Sequence, residues 1–143
     1  RPDALIRDII TRVSARYKNL ETSFEDKCQR IVLGDSTRLA QVFENLFSNA
    51  VKYAPDTKIE ISIDERDKSS VQILFADKGR GIPQEHLPFI FDRFYRVPNQ
   101  PGKAGTGLGL FICKRIITAH HGNMWAESEA QKGTRFIIQL PSQ

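Results

Sequence analysis

Asn45 and Asn49 stand four residues apart, and Lys52 follows three later. On a helix the three project from one side. Two carboxamides and an ammonium on one polar face can hold a hydrated divalent cation and a phosphate chain, because Mg2+ keeps several waters and accepts a carboxamide oxygen. The same residues would also make an ordinary solvated helix face, and this cluster alone does not separate the two. Asp77-Lys78-Gly79-Arg80-Gly81-Ile82 ends an apolar run with a carboxylate, then two glycines that permit a tight turn or a close approach to a ligand. A partly buried carboxylate there can accept from an exocyclic amine, or it can simply cap a helix. In Phe91-Asp92-Arg93-Phe94-Tyr95-Arg96, aromatics and arginines recur at three-residue spacing. They could anchor a loop and aim a guanidinium at phosphate, or be core rings beside surface charges. Gly105-Thr106-Gly107-Leu108-Gly109-Leu110 stands directly before a helical pattern. Glycines there expose backbone N–H groups to an anion at the positive helix end. The spacing is neither that of a P-loop nor that of a dinucleotide fingerprint.

The elements that must position these clusters follow from apolar periodicity. Leu5, Ile6, Ile9, Ile10, Val13 and Tyr17 form one helical stripe over 3–17. Residues 20–25 and 31–33 read as short strands. Asp35 or Ser36 can cap the next helix, whose apolar stripe is Leu39, Val42, Phe43, Leu46, Phe47, Ala50 and Val51, with Pro55 closing it. Ile59, Ile61 and Ile63, then Val71, Ile73 and Phe75, alternate as strands. A short helix is expected over 84–91. Residues 92–107 hold two prolines and three glycines in an irregular stretch, a length typical of lids and binding loops. Leu110, Cys113, Ile116 and Ile117 mark a further helix, and the chain ends in a hairpin with Met124, Ala126 and Ser128 on one strand and Phe136, Ile138 and Leu140 on the other. The expected fold is a two-layer α/β (α+β) sandwich, with a mixed, mostly antiparallel sheet and helices on one face.

The 143 residues suit one domain. Two cysteines without metal-ligand spacing argue against a disulfide framework or a structural zinc site and favour a reducing, cytoplasmic setting. No apolar run reaches the roughly 18–20 residues of a membrane span, and no signal-peptide pattern opens the chain. The first residue is Arg1, not Met, which suits a piece of a longer protein. Residues 78–115 carry seven basic side chains and two acidic ones in glycine-rich surroundings. That suits a polyanionic ligand, nucleotide or nucleic acid, although a solvated basic surface would look the same.

Each cluster is ambiguous alone, but their order and spacing are specific. They resemble the N box (Asn45 to Tyr53), first glycine box (Asp77 to Ile82), F box (Phe91 to Arg96) and second glycine box (Gly105 to Leu110) of sensor histidine kinases, and Gly133-Thr134-x-Phe136 resembles that family's last Gly-Thr element. The matching motifs span about Asp35 to Leu140. The resemblance implies the ATP-binding fold shared with gyrase, heat-shock chaperone and mismatch-repair ATPases, with ATP and Mg2+ as cofactors. It implies that Asn49 takes Mg2+ with Asn45 in support. Lys52 and Arg96 meet phosphates, Tyr53 and Tyr95 lie beside the nucleotide, and Asp77 reads the adenine amino group. Gly79, Gly81, Ile82 and Ile90 shape the base pocket, and Thr134 stands near adenine. A mobile ATP lid covers 97–107, and Gly105, Thr106, Gly107, Leu108, Gly109 and Leu110 wrap the phosphates. Asn49, Lys52 and Arg96 are the residues implied for catalysis.

His86, His120 and His121 lack the family's phosphoacceptor context, and the dimerisation helices have no counterpart among these residues. The expected activity is therefore transfer of the terminal phosphate to a histidine on a separate dimerisation and phosphoacceptor domain, with onward relay to a response regulator. The chain alone is expected to be monomeric, the parent kinase dimeric. Membrane anchoring of the parent is left open. A non-catalytic ATP-binding regulatory module of the same fold is the alternative. An ATPase clamp of the gyrase or chaperone type would need an acidic base where Asn45 sits, and Glu44 points about 100° away around the helix. Apart from the basic stretch nothing supports a nucleic-acid partner, and none is expected.

Overall fold

The computed structural model of the chain describes residues 8, 11, 21–26, 32, 34–53, 58–65, 69–79, 81–82, 84–92, 109–129 and 133–142, with the backbone alone for 21–26, 51–53 and 129. In chain order the elements are strand β1 (Glu21–Asp26), helix α1 (Ser36–Tyr53), strands β2 (Lys58–Glu65) and β3 (Ser70–Asp77), a 3-10 turn (Leu87–Phe89), helix α2 (Gly109–Ala119), and strands β4 (Asn123–Glu129) and β5 (Gly133–Pro141). They form one five-stranded sheet in the order β1-β2-β3-β5-β4. β1 pairs parallel with β2, and the other pairings are antiparallel. This is the expected mixed, mostly antiparallel sheet.

The alternation read in the sequence sets the sheet's two faces. Ile59, Ile61 and Ile63 of β2, Val71, Ile73 and Phe75 of β3, and Phe136, Ile138 and Leu140 of β5 are all buried, while Lys58, Glu60 and Asp64, on the alternate positions of β2, are exposed and Ser62 is half-buried. The buried face meets Leu39, Val42, Phe43, Leu46 and Phe47 of α1 and Cys113 and Ile117 of α2 in one apolar cluster. The centre of the contact is aromatic. Phe75 stacks on Phe43 at 5.8 Å and meets Phe47 edge-on at 5.4 Å. Rings at these separations add to the burial itself, and they pin the C-terminal half of β3 beneath α1, two residues before Asp77.

α1 starts where the capping chemistry predicts. Asp35 Oδ1 accepts from the N–H groups of Thr37 at 3.0 Å and Arg38 at 3.2 Å, and the Asp35 carbonyl accepts from Leu39. Asp35, not Ser36, is thus the N-cap. Of the short helix expected over 84–91, a single 3-10 turn forms. The N–H groups of Leu87, Phe89 and Asp92 each bond three residues back, and the only helical piece is the 3-10 turn. Pro88 lacks an N–H and breaks any α pattern there. Of the proposed N-terminal helix, Asp8 and Thr11 are helical, and its remainder lies outside the described residues. So do the expected strand at 31–33, apart from Val32, and the stretch 93–108 that contains the proposed lid.

Candidate functional site

Two groups of expected site residues fall on elements packed against the core, one at strand ends and one where α1 and α2 meet. The first is built around Asp77, the last residue of β3, which lies directly opposite Thr134 at the start of β5. The Asp77 carboxylate accepts from the Gly79 N–H at 2.9 Å. Burial pushes its pKa above the ordinary 3.8, against the pull of hydrogen bonds from the backbones of Gly79 and Thr134. Desolvation thus outweighs the two N–H donors. Two turns bring the neighbouring backbone in close. Gly81 has a φ of 73°, which suits glycine. Gly133 has a φ of 110°, and a Cβ there would lie 2.1 Å from the Asp77 carbonyl oxygen, so no other residue fits.

Ser128, on the inward face of β4, locks these pieces together. Its buried hydroxyl oxygen lies 2.6 Å from the Ile82 nitrogen, 2.8 Å from the Gly133 carbonyl and 3.1 Å from Thr134 Oγ1. The Gln84 side-chain amide also donates to the Ser128 carbonyl. An open depression of about 700 Å³ lies at this end of the sheet; Asp77, Gln84, Ser128 and Thr134 line it together with residues of the sheet's opposite face such as Lys58, Glu60, Ala76 and Arg135. Ile90 is buried and Ile82 half-buried nearby in the chain, both packed into the apolar cluster.

The second group sits where α1 and α2 meet. Asn45 and Asn49 are both half-buried on α1. The Asn45 amide donates to the Cys113 thiol of α2 at 3.6 Å, and that thiol lies 3.8 Å from the Val42 carbonyl. Cys113 is fully buried, and burial pushes its pKa up to about 11, so it remains a thiol. Gly109 opens α2, and a Cβ there would meet nothing within 4 Å. Crowding by the described residues therefore does not demand glycine at this helix start. The first N–H groups of a helix lack intrahelical partners and favour an anion.

At its other end α2 is tied back to α1. His120 Nδ1 lies 2.8 Å from the Ile116 carbonyl, and Nε2 accepts from the Asp35 N–H at 3.0 Å. The ring's one proton is thus on Nδ1. His120 holds the end of α2 against the cap of α1. The chain then turns through His121, whose φ is 63°. Its N–H bonds to Thr118 and that of Gly122 to Ile117, the Schellman pattern with a histidine where glycine is usual.

The sequence profile of the histidine kinase-, DNA gyrase B- and HSP90-like ATPases matches residues 34–143. The chain belongs to this family. Within the family it stands with the ATP-binding catalytic domains of sensor histidine kinases. It is 45% identical to the sensor protein SrrB of Staphylococcus aureus, over 95% of this chain and 25% of that protein. The chain thus spans about a quarter of the curated relatives it matches. The mycobacterial sensor histidine kinase MprB superposes with a TM-score of 0.90 at 28% identity, covering 99% of this chain and 95% of that one. The catalytic domain of histidine kinase ThkA superposes at 0.80 with 33% identity, covering 97% and 92%. A structure of ThkA in complex with the response regulator protein TrrA superposes at 0.77 with 28% identity, covering 99% and 40%.

For this histidine-kinase-type domain, the structure brings Asp77, Gly79, Gly81, Ile82 and Thr134 together at one end of the sheet. It sets Asn45 and Asn49 on the helix that roofs the core, and Gly109 and Leu110 at the start of α2. Lys52 and Tyr53 lie in the last turn of α1 by backbone. Tyr95, Arg96, Gly105, Thr106, Gly107 and Leu108 lie outside the described residues. Three residues with structural roles at the site escaped the sequence reading. Ser128 was legible as a polar residue at an inward strand position, which must find partners when buried. The sequence shows Cys113 only as part of an apolar stripe and His120 only beside a second histidine at a helix end. No helix among the described residues is long and apolar enough to cross a membrane.

Proposed function

We propose that this domain binds Mg-ATP and donates the terminal phosphate to a histidine on a separate dimerisation domain, for relay to a response-regulator aspartate. The observation that carries the reading is the Asp77 carboxylate, desolvated at the end of β3 and backed by N–H groups of Gly79 and Thr134. A carboxylate so placed offers its remaining lone pairs to a neutral donor, as the adenine amino group is. Gly79, Gly81, Ile82 and Ile90 shape the pocket around that contact.

At the phosphate end, Lys52 and Arg96 supply positive charge, Tyr53 and Tyr95 flank the nucleotide, and Gly105, Thr106, Gly107, Leu108, Gly109 and Leu110 offer backbone N–H groups. Residues 97–107 form the lid. The donor set suits Mg2+. Among the described residues no three His, Cys, Asp or Glu side chains gather to hold a metal. An ion that keeps its waters and takes one carboxamide oxygen fits Asn49, with Asn45 held beside it through its bond to Cys113. Bound there, Mg2+ would neutralise phosphate charge. Phosphoryl transfer needs positioning and charge neutralisation more than covalent help from the protein, and Asn49, Lys52 and Arg96 are assigned to those tasks.

The acceptor histidine, the second protomer and the response regulator lie outside this chain. The working place is the cytoplasm, and the chain alone is a monomer. The ThkA–TrrA complex supports the regulator as partner. Calorimetry with ATP and ADP, with and without Mg2+, tests the site. Mg2+ should strengthen ATP binding in the native chain and not in Asn49→Ala. Absence of any nucleotide binding would overturn the reading at its first step. Binding without transfer to a supplied acceptor would leave the non-catalytic regulatory module.

A further inference from the structure

The hydrogen bonds around Ser128 fix the direction of a proton at the base pocket. A serine hydroxyl has one proton to give and two lone pairs to receive. The Gly133 carbonyl, 2.8 Å away, can only accept, so the Ser128 proton goes there. The Ile82 N–H can only donate, and at 2.6 Å it takes one Ser128 lone pair. The contact with Thr134 Oγ1 at 3.1 Å must then run from Thr134 to Ser128. The opposite assignment would set two oxygens 2.8 Å apart with no proton between them. Thr134 has therefore spent its own proton, and Oγ1 presents only lone pairs to anything beyond it. Thr134 pairs with Asp77 across β3 and β5, and side chains directly opposite lie about 5 Å apart on one face. The pocket end thus carries two acceptors side by side, a carboxylate and a hydroxyl that cannot turn donor.

We infer that Ser128 is a positioning residue for base selectivity: by holding Thr134 as an acceptor, it makes the pocket favour a purine with an amino group at its 6-position over one with a keto group there. The inference rests on the reading of Asp77 as the base-reading carboxylate. An amino purine meets both acceptors with N–H. At its 6-position a keto purine sets an oxygen against them, its one donor at that edge being the neighbouring N1–H, and Thr134 cannot rotate its proton to answer the oxygen without stripping Ser128 of a partner.

The test is equilibrium binding of ATP and of ITP, which differs from ATP at that end of the base, by the whole chain and two variants. The native chain should prefer ATP. In Ser128→Ala the Thr134 hydroxyl is free to turn and donate to a keto oxygen. The ATP:ITP preference should then narrow by roughly tenfold, about 1.4 kcal/mol, mainly through gained ITP affinity. A turn at Gly81–Ile82 that was merely loosened would weaken both nucleotides alike and leave the ratio unchanged. That outcome in a folded Ser128→Ala overturns the inference. If this variant does not fold, Thr134→Val decides: loss of the acceptor should lower ATP affinity while ITP affinity holds or rises, and an unaltered ratio counts against the inference. A native chain that binds ATP and ITP equally also overturns it while leaving ATP binding intact. A native chain that binds neither overturns the base-pocket reading itself.

Discussion

Replacing Asp77 with asparagine should move ligand affinity and stability in different directions. In the native chain the carboxylate is half-buried, and its pKa is raised because desolvation outweighs the N–H groups of Gly79 and Thr134. A carboxyl group whose folded pKa lies above its unfolded value binds protons more tightly when folded. Its contribution to stability is therefore fully present below 3.8 and is lost as pH rises through the higher folded value. At neutral pH the ionised group is a burden on folding, and asparagine removes that burden while keeping one acceptor oxygen. The ligand sees the opposite. A hydrogen bond to a charged group is worth about 1.5–3 kcal/mol, so ATP and ADP should both bind roughly 10- to 150-fold more weakly to Asp77→Asn. Calorimetry gives the affinities, and urea titration gives the stability. The expected result is a variant at least as stable as the native chain near pH 7, with both nucleotides weakened by similar factors. Acidification through the raised pKa should also weaken nucleotide binding in the native chain and not in the variant. A variant that loses stability and affinity together would show that Asp77 only holds the turn, and the base-reading role would fall.

Three further outcomes follow from the same geometry. His121 occupies a left-handed position in the Schellman turn. His121→Gly should raise stability by roughly 0.5–1 kcal/mol, because relief of the left-handed strain exceeds the entropy cost of glycine; a lower urea midpoint would contradict the strain argument. Cys113, buried and with its pKa pushed up to about 11, should resist iodoacetamide at pH 8 in a Cys28→Ser background and react only once the chain unfolds. Alkylation of the folded chain at the rate of a free thiol would remove it from the α1–α2 interface. Residues 97–107, as the proposed lid, should gain hydrogen-exchange protection when a non-hydrolysable ATP analogue binds; identical exchange with and without ligand would end the lid assignment.

The sheet was legible in the sequence wherever one face is apolar and the other polar. Ile59-Glu60-Ile61-Ser62-Ile63 and Phe136-Ile137-Ile138-Gln139-Leu140 gave their inward positions at once, although Ile137 is buried on the other face as well. The helix start was legible because Asp35 and Ser36 stand directly before a periodic run, although only the hydrogen bonds to Thr37 and Arg38 select Asp35 as the cap. Residues 84–91 misled because Leu87, Ile90 and Phe91 carry helical spacing, whereas the missing N–H of Pro88 is a backbone property that spacing does not show. The site residues came from the order of the motifs more than from any single spacing. Their supports did not. Ser128, Cys113 and His120 act on residues far away in the chain: Ile82, Asn45 and Asp35 lie 46, 68 and 85 positions from them. Such partners become visible only once the sheet and helices set the distances. His120 shows the effect most plainly. Its Nδ1 bonds within α2 and its Nε2 joins α2 to the cap of α1, at the end of α2 opposite Gly109, on the order of 16 Å along the helix at 1.5 Å per residue.

That distance frames the most direct test of phosphate donation by this domain. In-line transfer needs the attacking atom about 3–3.5 Å from phosphorus, so no histidine at the far end of α2 can reach a nucleotide whose phosphates lie at Gly109. The native chain should be incubated with ATP labelled at the terminal phosphate, alone and with a dimerisation domain bearing its phosphoacceptor histidine. No label is expected on this chain in either case, and acid-labile, alkali-stable label is expected on the added domain, with Arg96→Ala reducing transfer more than it reduces ATP binding. Acid-labile label on this chain alone, or an added domain that stays unlabelled while ATP is bound, would rule out phosphate donation as described.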